Sequence, residues 1–438
     1  MVEGYNENEI RKNESLEEKV DKLGYIAHEV EGPHDIDEIM ELVIAYQNGE
    51  NVGIYGPPGL GKTLLVKTFA ELVGKDLEVI QCAPETSITD IVGGEIPDVA
   101  RDENGKVVGG IIIKTVKKAL AKAMEEGKIF YADEWNKLRR DVQSYLSAPL
   151  DFRRELRSLD GQLLVEKAKD GFMFIASWNP GEEYGGEEVL GYIKDRITYT
   201  PFNELDTDLQ ARITLVKAGL LSPEEILDNK IQIRAIVKEG DKFKFFVKQG
   251  EYFVNFFDKN EKLDENDPRL RKYLCFVGGE GKLQVNDERK QEMYENIYNL
   301  VQFVKQARHL ILYGSSGIDP ELDNLLGGMG ISRIPPLHEE YHIEPRSIRI
   351  LEAVAKEYKY FVDANAPPEI IAKRLSKKII NGIIQDKGNE EVASGITWEN
   401  LVKKIAQMYS IKINGEPYQL VREEEFAQLF KQEEDNNS

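Results

Sequence analysis

The sequence predicts an α/β protein in which helices sandwich a parallel five-stranded β-sheet, followed by a mostly helical region. Three observations predict this fold. Short apolar segments alternate with helical stretches between Asn51 and about Glu204. A glycine-rich turn joins the first apolar segment to an amphipathic helix, and the periodicity becomes helical from Asp287 onward. Strands that alternate with helices favour a parallel sheet, because each connection has to cross a face of that sheet.

The elements follow in order along the chain. A helix before the first strand is predicted by apolar residues at helical spacing, namely Ile36, Ile39, Met40, Leu42 and Val43. The predicted strands are Val52–Tyr55, Leu77–Cys82, Lys128–Asp133, Phe172–Ser177 and Ile197–Thr200. Two hairpins are predicted by tight-turn pairs, at Asn104-Gly105 and Asp160-Gly161. Each hairpin is either an ordinary surface turn or an insertion that projects towards a pore or a partner.

A β-rich segment interrupts the helical part of the chain. Residues 229–285 alternate apolar and polar side chains, with glycine between the runs, which predicts a small antiparallel insertion. The predicted organisation is then a charged, partly helical N-terminal extension (1–30), an α/β subdomain (31–205), a helix with the β-rich insertion (206–290), a helical subdomain (291–425) and an acidic tail (426–438).

Composition narrows the class of protein. The 438 residues are too many for one core, and 41% hydrophobic residues suit a globular chain without an apolar run long enough to span a bilayer. The charged N-terminus lacks the apolar region of a signal peptide. Cys82 and Cys275 are far apart and the five histidines show no ligand spacing, so we expect buried thiols, no structural metal and a cytoplasmic location.

The charge balance bears on the class of partner. A net charge of −21 repels phosphate backbones, which makes nucleic acid an improbable partner. The strongest basic clustering runs from Lys137, Arg139 and Arg140 to Arg153, Arg154 and Arg157. It could line a pore, a subunit interface or a nucleic-acid groove, and the whole-chain charge favours the interface.

The segment from Gly56 to Thr63, GPPGLGKT, has the pattern of a phosphate-binding loop between a strand and a helix. Glycines allow backbone N–H groups to surround phosphates, and the helix N-terminus favours the anion. We expect Lys62 to reach the β- and γ-phosphates of ATP and Thr63 to bind Mg²⁺. The predicted nucleotide-binding residues are Gly56, Pro57, Pro58, Gly59, Leu60, Gly61, Lys62, Thr63 and Leu64.

Two adjacent acids follow the third predicted strand. In KIFYADEWNK an apolar run leads into Asp133 and Glu134 at the carboxyl edge of the predicted sheet, where α/β folds bind ligands. Hydrolysis of a phosphoanhydride needs one carboxylate in the metal shell and another that activates water. We predict Asp133 as a Mg²⁺ ligand and Glu134 as the general base.

The next apolar strand ends in SWNP. Its amide, Asn179, could hold the attacking water beside Glu134 without adding charge. An Asn-Pro pair is also common in plain turns, so this role depends on where the strand lies in the sheet.

Together these segments resemble a known family. GPPGLGKT, FYADEWNK, IASWNPG and YIKDRI, in this order and spacing, are similar to the AAA+ ATPases, and more narrowly to their MoxR branch with the CbbQ/NirQ/NorQ and GvpN-type proteins. ETSITDIVGGEI and LRSLDGQLLVEK support that branch. The resemblance covers about Gly32 to Phe202 and, more loosely, Glu344 to Gln385, and the 229–285 insertion departs from the compact family pattern.

The resemblance implies further site residues. Asn179 matches the sensor-1 position, and Arg196 matches an arginine that reaches the neighbouring subunit's nucleotide in this branch. The alternative for Arg196 is a contact within its own subunit. Arg346, after Pro345, matches the sensor-2 arginine at the start of a lid helix, although Arg349 lies on the same helix face.

The resemblance also implies partners. It predicts a homo-oligomer, expected as a hexameric ring, that hydrolyses ATP with Mg²⁺. It also predicts that this ring remodels a protein client, with a von Willebrand factor A-domain protein as adaptor. The lack of a long apolar run in the sequence predicts no membrane partner. Two other functions stay open: a nucleic-acid-translocating or restriction-type NTPase, and a gas-vesicle-type assembly factor in which nucleotide binding matters more than turnover.

Overall fold

The computed structural model describes residues 24–28, 30, 32–101, 107–179, 189–314, 320–328, 331, 334–337, 349–393, 395–421 and 425. The chain divides into two compact units. The first, here called the sheet unit, contains residues 25–204 and 231–278. The second, the helical unit, contains Gly24, residues 205–230 and the described part of 279–438. No described helix combines the length and apolar character needed to cross a membrane.

The strands are numbered along the chain. In the sheet unit they are β1 (Ile26–Ala27), β2 (Val52–Tyr55), β3 (Leu77–Gln81), β4 (Gly93–Arg101), β5 (Val107–Lys117), β6 (Ile129–Asp133), β7 (Leu156–Arg157), β8 (Leu163–Val165), β9 (Met173–Trp178), β10 (Thr198–Pro201), β11 (Ile231–Glu239), β12 (Lys242–Gln249), β13 (Tyr252–Asn255), β14 (Lys262–Asp264) and β15 (Arg271–Phe276). The helical unit adds β16 (Glu391–Ala393), β17 (Ile396–Thr397), β18 (Ser410–Ile413) and β19 (Glu416–Gln419).

The helices are numbered in the same way. In the sheet unit they are α1 (Glu38–Asn48), α2 (Lys62–Val73), α3 (Ile88–Ile91), α4 (Ala119–Glu126), α5 (Arg140–Tyr145), α6 (Ser147–Leu150) and α7 (Gly191–Lys194). In the helical unit they are α8 (Thr207–Lys217), α9 (Glu288–Tyr313), α10 (Pro320–Gly328), α11 (Arg349–Asp363), α12 (Pro368–Ile384) and α13 (Trp398–Ala406).

A five-stranded sheet forms the centre of the sheet unit. Its order is β10–β2–β9–β6–β3, and every neighbouring pair is parallel. Phe130, Phe174 and Ala176 on its inner strands are buried in one continuous apolar core. Because all five strands run the same way, their carboxyl ends meet at one edge. This confirms the predicted α/β fold with its parallel five-stranded sheet.

Helix α1 has a capping residue at each end. The Asp37 carboxylate accepts a hydrogen bond from the Met40 amide, which caps the helix N-terminus, and Gly49 ends the helix in the left-handed conformation. The predicted helical spacing holds for Ile39 and Met40, which are fully buried. It fails for Ile36, which precedes the cap and is 41% exposed.

The antiparallel strand pairs of the predicted hairpins and the β-rich insertion are present, while the predicted turn Asn104-Gly105 lies outside the described residues. Strands β4 and β5 pair antiparallel, and so do β7 and β8. The insertion forms a second sheet, of order β1–β15–β11–β12–β13–β14. We call the part formed by β11 to β15 the inserted sheet. Its partner β1 lies within residues 1–30, for which the sequence predicts a charged, partly helical lead-in, while residues 1–23 lie outside the described part of the chain.

The helical unit is built around the long helix α9, which packs against α8, α11 and α13. Helix α8 carries a buried ion network, in which the Arg212 guanidinium lies 2.7 Å from a carboxylate oxygen of Asp208 and Lys230 Nζ lies 3.0 Å from the same oxygen. The predicted helical C-terminal region is therefore confirmed. The two short hairpins β16–β17 and β18–β19 were not predicted.

Candidate functional site at the carboxyl edge of the parallel sheet

The glycine-rich loop lies between β2 and α2. Gly59 and Gly61 have φ of +86° and +98°, in the left-handed region that disfavours other residues. A Cβ atom on Gly56 would lie 2.1 Å from the carbonyl oxygen of Phe202, so a side chain has no room there. The loop therefore presents backbone to the space above the sheet. Of the other predicted residues, Leu60 is buried and Leu64 is exposed.

The Lys62 side chain is buried inside this loop. Its ammonium donates to the carbonyl oxygens of Gly56 and Pro57 at 2.7 and 2.8 Å, and to Oδ1 of Asn179 at 2.8 Å. Carbonyl and amide dipoles stabilise an ammonium less than an opposite charge does. This arrangement favours an anion close to Lys62.

Asp133 lies at the end of β6 among hydroxyl groups. Its carboxylate accepts from Thr63 Oγ1 at 3.0 Å, from Ser177 Oγ at 2.6 Å and from Tyr131 Oη at 3.0 Å. Burial, and then the charge of Asp133, raise the pKa of Tyr131, so its hydroxyl stays protonated and remains a donor. Thr63 and Asp133 together offer the hard oxygen ligands that Mg²⁺ prefers.

Tyr131 and Ser177 were missed by the sequence interpretation. Tyr131 lies two residues before Asp133 and shares its side of β6, while Ser177 lies in the neighbouring strand β9. The period-2 rule could have placed Tyr131 with Asp133. Nothing local marks Ser177 as a partner of Asp133, because their contact depends on the pairing of β6 with β9.

Glu134 occupies a left-handed turn directly after β6, with φ of 56°. Such a backbone is uncommon for a residue with a side chain, and strain of this kind is concentrated at functional sites. Its carboxylate oxygen Oε2 accepts from Gln81 Nε2 at 2.8 Å and from Lys137 Nζ at 2.7 Å. Gln81 and Lys137 were also missed, although Lys137 follows Glu134 at i+3.

Asn179 follows β9 at the same edge. Besides accepting from Lys62 through its side chain, its carbonyl oxygen accepts from Asn136 Nδ2 at 3.4 Å. The structure thus brings together Lys62, Thr63, Asp133 and Asn179, which come from three separate segments of the sequence. Their predicted roles in catalysis stay predictions.

Arg196 is half-buried between α7 and β10. Its Nη1 donates to the carbonyl oxygen of Ser147 at 3.2 Å, and its guanidinium lies 6.0 Å from the Tyr192 ring centre. It also lines a cavity of about 330 Å³ together with Asp151 and Phe152. Within one chain Arg196 therefore contacts its own backbone, which is compatible with either of the two roles considered from the sequence.

The second predicted arginine cannot be placed. Arg346 lies outside the described residues, whereas Arg349 is the first residue of α11. The choice between them stays open.

Three side chains of the basic cluster pair with nearby acids. Arg139 pairs with Asp141 at 3.2 Å, and Arg153 pairs with Asp151 at 2.6 Å. Lys137 pairs with Glu134, as described above. Local pairing of this kind lowers the positive charge that a phosphate backbone would meet.

Comparison with a family model identifies the domain that carries this site. Residues 51–197 match the AAA domain of the dynein-related subfamily. The chain contains an AAA domain. The matched range begins one residue before β2 and includes Lys62, Asp133, Asn179 and Arg196. An AAA domain implies a nucleotide site, and the phosphate loop of this domain has the geometry described above.

The similar proteins include two staphylococcal relatives and one solved bacterial structure. An uncharacterized protein of Staphylococcus saprophyticus is 26% identical over 219 residues, which cover 50% of this chain and 75% of that protein. An uncharacterized protein of Staphylococcus aureus is 26% identical over 204 residues, covering 46% of this chain and 71% of that protein. The crystal structure of a candidate ATPase from Cytophaga hutchinsonii is 16% identical, with a TM-score of 0.33 over 93% of this chain and 96% of that one.

Proposed function

We propose that this protein hydrolyses ATP and uses the energy to remodel a protein partner. One observation carries the proposal: Thr63 Oγ1 lies 3.0 Å from the Asp133 carboxylate while Lys62 Nζ lies 2.8 Å from Asn179. This arrangement combines a phosphate-binding ammonium, a pair of metal-binding oxygens and a polar amide at one sheet edge. Those are the parts that phosphoryl transfer to water requires.

The loop and helix α2 bind the triphosphate. Backbone N–H groups at the N-terminus of α2 and the Lys62 ammonium attract the β- and γ-phosphates. The triphosphate offers the buried Lys62 ammonium an anionic partner, which stabilises its charge. Thr63 and Asp133 fit Mg²⁺ because both offer oxygen ligands, and Mg²⁺, when bound, neutralises charge on the phosphates.

Glu134 and Asn179 act on the attacking water. Glu134 accepts a proton from this water, and the water oxygen attacks the γ-phosphorus while the bond to the ADP oxygen breaks. Asn179 orients the water by hydrogen bonding without adding charge. Gln81 and Lys137 both donate to Oε2 of Glu134, so these two contacts compete with the water for that oxygen.

We propose that the active form is a closed ring of subunits, expected as a hexamer. Arg196 then serves the nucleotide of the neighbouring subunit, where a guanidinium stabilises charge that develops on the γ-phosphate. Head-to-tail contacts of this kind form a ring when the rotation closes. Arg346, or Arg349 instead, is the proposed sensor-2 arginine at the start of the lid helix.

The proposed output is mechanical, in the manner of the MoxR branch. Exposed apolar side chains on the two hairpins support contact with protein, since Val108 on β5 is 63% exposed and Leu159, between β7 and β8, is 60% exposed. A von Willebrand factor A-domain adaptor is the proposed intermediary to the client, by analogy with that branch. We place this activity in the cytoplasm, which suits the two unpaired thiols.

Hydrolysis is tested first with the purified chain. We expect ATP turnover by the unmodified protein, loss of ATP binding in Lys62→Ala, and binding without turnover in Glu134→Gln. The control is Lys169→Ala, which removes an exposed lysine of the same unit. Undiminished turnover in Glu134→Gln would contradict the assignment of the base, and normal ATP affinity in Lys62→Ala would contradict the loop.

The kind of partner needs a separate experiment. Glu134→Gln holds ATP without releasing the client, so we expect it to retain a defined protein in a pull-down from which Lys62→Ala retains nothing. Salt-sensitive stimulation of turnover by DNA would instead favour a nucleic-acid motor. Full biological function of Glu134→Gln would favour an assembly factor that needs binding alone.

A further inference from the structure

Two adjacent carboxylates, Asp37 and Glu38, are completely buried at the start of α1. Burying two neighbouring negative charges is unfavourable unless each has hydrogen-bond donors and a counter-charge. We call these residues the acidic pair. Their side chains contact different parts of the sheet unit.

Glu38 contacts the segment around β1. Its carboxylate accepts from the His28 amide at 2.9 and 3.1 Å and from the Tyr25 hydroxyl, and it lies 3.7 Å from His28 Nε2. Both donors belong to residues that flank the two-residue strand β1. Glu38 therefore fixes the position of the Tyr25 and His28 side chains.

Tyr25 lies beside the phosphate loop, and both Tyr25 and His28 pack against Phe202. Their rings are 6.5 and 4.7 Å from that of Phe202, measured between ring centres. Phe202 is the residue whose carbonyl excludes a side chain from Gly56. A Cβ atom on Gly61 would lie 3.8 Å from Cε2 of Tyr25. Tyr25 thus lies beside the Gly61 end of the loop, and Phe202, against which Tyr25 and His28 pack, lies beside the Gly56 end.

Asp37 contacts the inserted sheet. Arg234 Nη1 on β11 donates to Oδ2 of Asp37 at 2.8 Å, and Tyr273 Oη on β15 donates to the same oxygen at 2.9 Å. Burial raises the pKa of the Asp37 carboxyl, the Arg234 charge lowers it, and the neighbouring Glu38 raises it again. Arg234 is thus the cation that favours the charged form of Asp37.

Arg234 also holds the turn that leads into α1. Its guanidinium, almost completely buried, donates to the carbonyl oxygens of Asp35 at 2.8 Å and Pro33 at 3.2 Å. Its remaining donor, Nε, binds Gln232 on the same strand at 2.9 Å. Such a multidentate fork fixes geometry as well as charge, which a lysine cannot fully reproduce.

We propose that Arg234 of the inserted sheet is a positioning residue for the nucleotide site, and that the inserted sheet thereby sets nucleotide affinity. Arg234 neutralises Asp37, and the adjacent Glu38 then keeps Tyr25 beside the phosphate loop and His28 against Phe202. This inference rests on the proposed ATP binding. It gives the 229–285 insertion a role in which a shift of the inserted sheet alters the affinity for ATP.

The test compares Arg234→Met with Arg234→Lys, and uses Arg269→Met as the control. Arg269 is an exposed arginine beside β15 that pairs with Asp267. Binding of a fluorescent ATP analogue gives Kd, turnover gives KM and kcat, and circular dichroism verifies folding. We expect Arg234→Met to raise Kd and KM roughly tenfold or more, because a buried carboxylate loses its counter-charge, with kcat nearly unchanged. Arg234→Lys restores the charge but not the whole fork, so it should recover part of this affinity.

A second variant keeps the test decisive if Arg234→Met does not fold. Tyr273→Phe retains the charge and removes one hydrogen bond to Asp37, so we expect a rise in Kd of about threefold. Wild-type affinity in a folded Arg234→Met or in Tyr273→Phe would overturn the inference alone. A loss that Arg234→Lys does not recover would also overturn it, since packing would then explain the effect. No ATP binding by the unmodified chain would overturn the proposed function as well.

Discussion

The amide of Gln81 and the carboxylate of Glu134 are joined by a hydrogen bond of 2.8 Å across two neighbouring strands of the parallel sheet. Gln81 ends β3, directly opposite Asp133 in the register of β3 and β6. The general base proposed here is therefore engaged by a neutral donor on one side and by Lys137 on the other. In this conformation its oxygen Oε2 already has two donors.

The first prediction concerns this contact. Gln81→Ala removes the amide that donates to Oε2 of Glu134 and so frees a lone pair of this oxygen. The carboxylate then accepts a hydrogen bond from the attacking water more readily. We expect kcat for ATP to rise by up to about fivefold, the equivalent of one neutral hydrogen bond of about 1 kcal/mol, with KM unchanged. Steady-state turnover measures both values.

The matched control is Gln249→Ala, which removes an exposed glutamine at the end of β12. It should leave both values unchanged. A fall in kcat for Gln81→Ala would contradict the prediction and would show that the contact orients Glu134 for catalysis.

The phosphate loop gives the second prediction. An added methyl group in Gly56→Ala would lie 2.1 Å from the Phe202 carbonyl oxygen, so the loop or β10 has to move. We expect a loss of about 1–3 kcal/mol in stability, as for other overpacked sites, together with weaker ATP binding. Thermal unfolding and equilibrium nucleotide binding measure the two effects.

Gly327→Ala is a suitable comparison, because a Cβ atom at this position in α10 meets no atom within 4 Å. It should be neutral, or stabilising by about 0.5–1 kcal/mol, since alanine favours a helix. Equal stability of Gly56→Ala and the unmodified protein would show that the loop accommodates a side chain after all.

Much of this site could be predicted because its residues follow local patterns. The glycine-rich loop between strand and helix predicts Lys62 and Thr63, and an apolar strand that ends in two acids predicts Asp133 and Glu134. Each pattern fits within about ten residues. The order of the parallel strands then brings the patterns to one edge, where α/β folds bind ligands.

Other contacts could not be predicted, because they join residues that are distant in sequence. Asp37 and Arg234 are 197 positions apart, and no local pattern relates them. Strand β1 has only two residues, and it forms because β15 offers it a parallel partner. Ile36 fits the helical period but precedes the cap at Asp37, so periodicity alone extends the predicted helix too far.

The third prediction concerns the cysteines. Burial, followed by the charges of Asp133 and Glu134, raises the pKa of the Cys82 thiol to about 12, and burial raises the pKa of Cys275 as well. A thiol with a raised pKa stays protonated until the pH approaches that value. At pH 8 the thiolate fraction of Cys82 is then about one in ten thousand, and only the thiolate reacts readily.

We therefore expect almost no reaction of the native protein with a disulfide reagent at pH 8, and two thiols per chain after denaturation, since the sequence contains two cysteines. A rapid reaction of one thiol in the native state would contradict the burial described here. A count of zero after denaturation would instead indicate a disulfide, which the described structure does not contain.

The last prediction concerns Arg196, whose Nη1 donates to the Ser147 carbonyl oxygen within its own chain. A role in the neighbouring subunit requires this contact to be exchanged for the γ-phosphate. Arg196→Ala should then keep its affinity for ATP but lose roughly a thousandfold in kcat, as for other trans-acting arginines. Losing the Ser147 contact costs only about 1 kcal/mol of stability. Arg269→Ala serves as the control for an exposed arginine.

Mixing two inactive variants separates the possible roles of Arg196. Lys62→Ala subunits cannot bind ATP but still carry Arg196, whereas Arg196→Ala subunits have an intact loop and need an arginine from a neighbour. In mixed assemblies some Arg196→Ala sites meet a neighbour with Arg196, so turnover should reappear and peak at intermediate ratios. If Arg196 acts only through Ser147 in its own chain, no ratio restores turnover, because neither subunit type then contains a complete site.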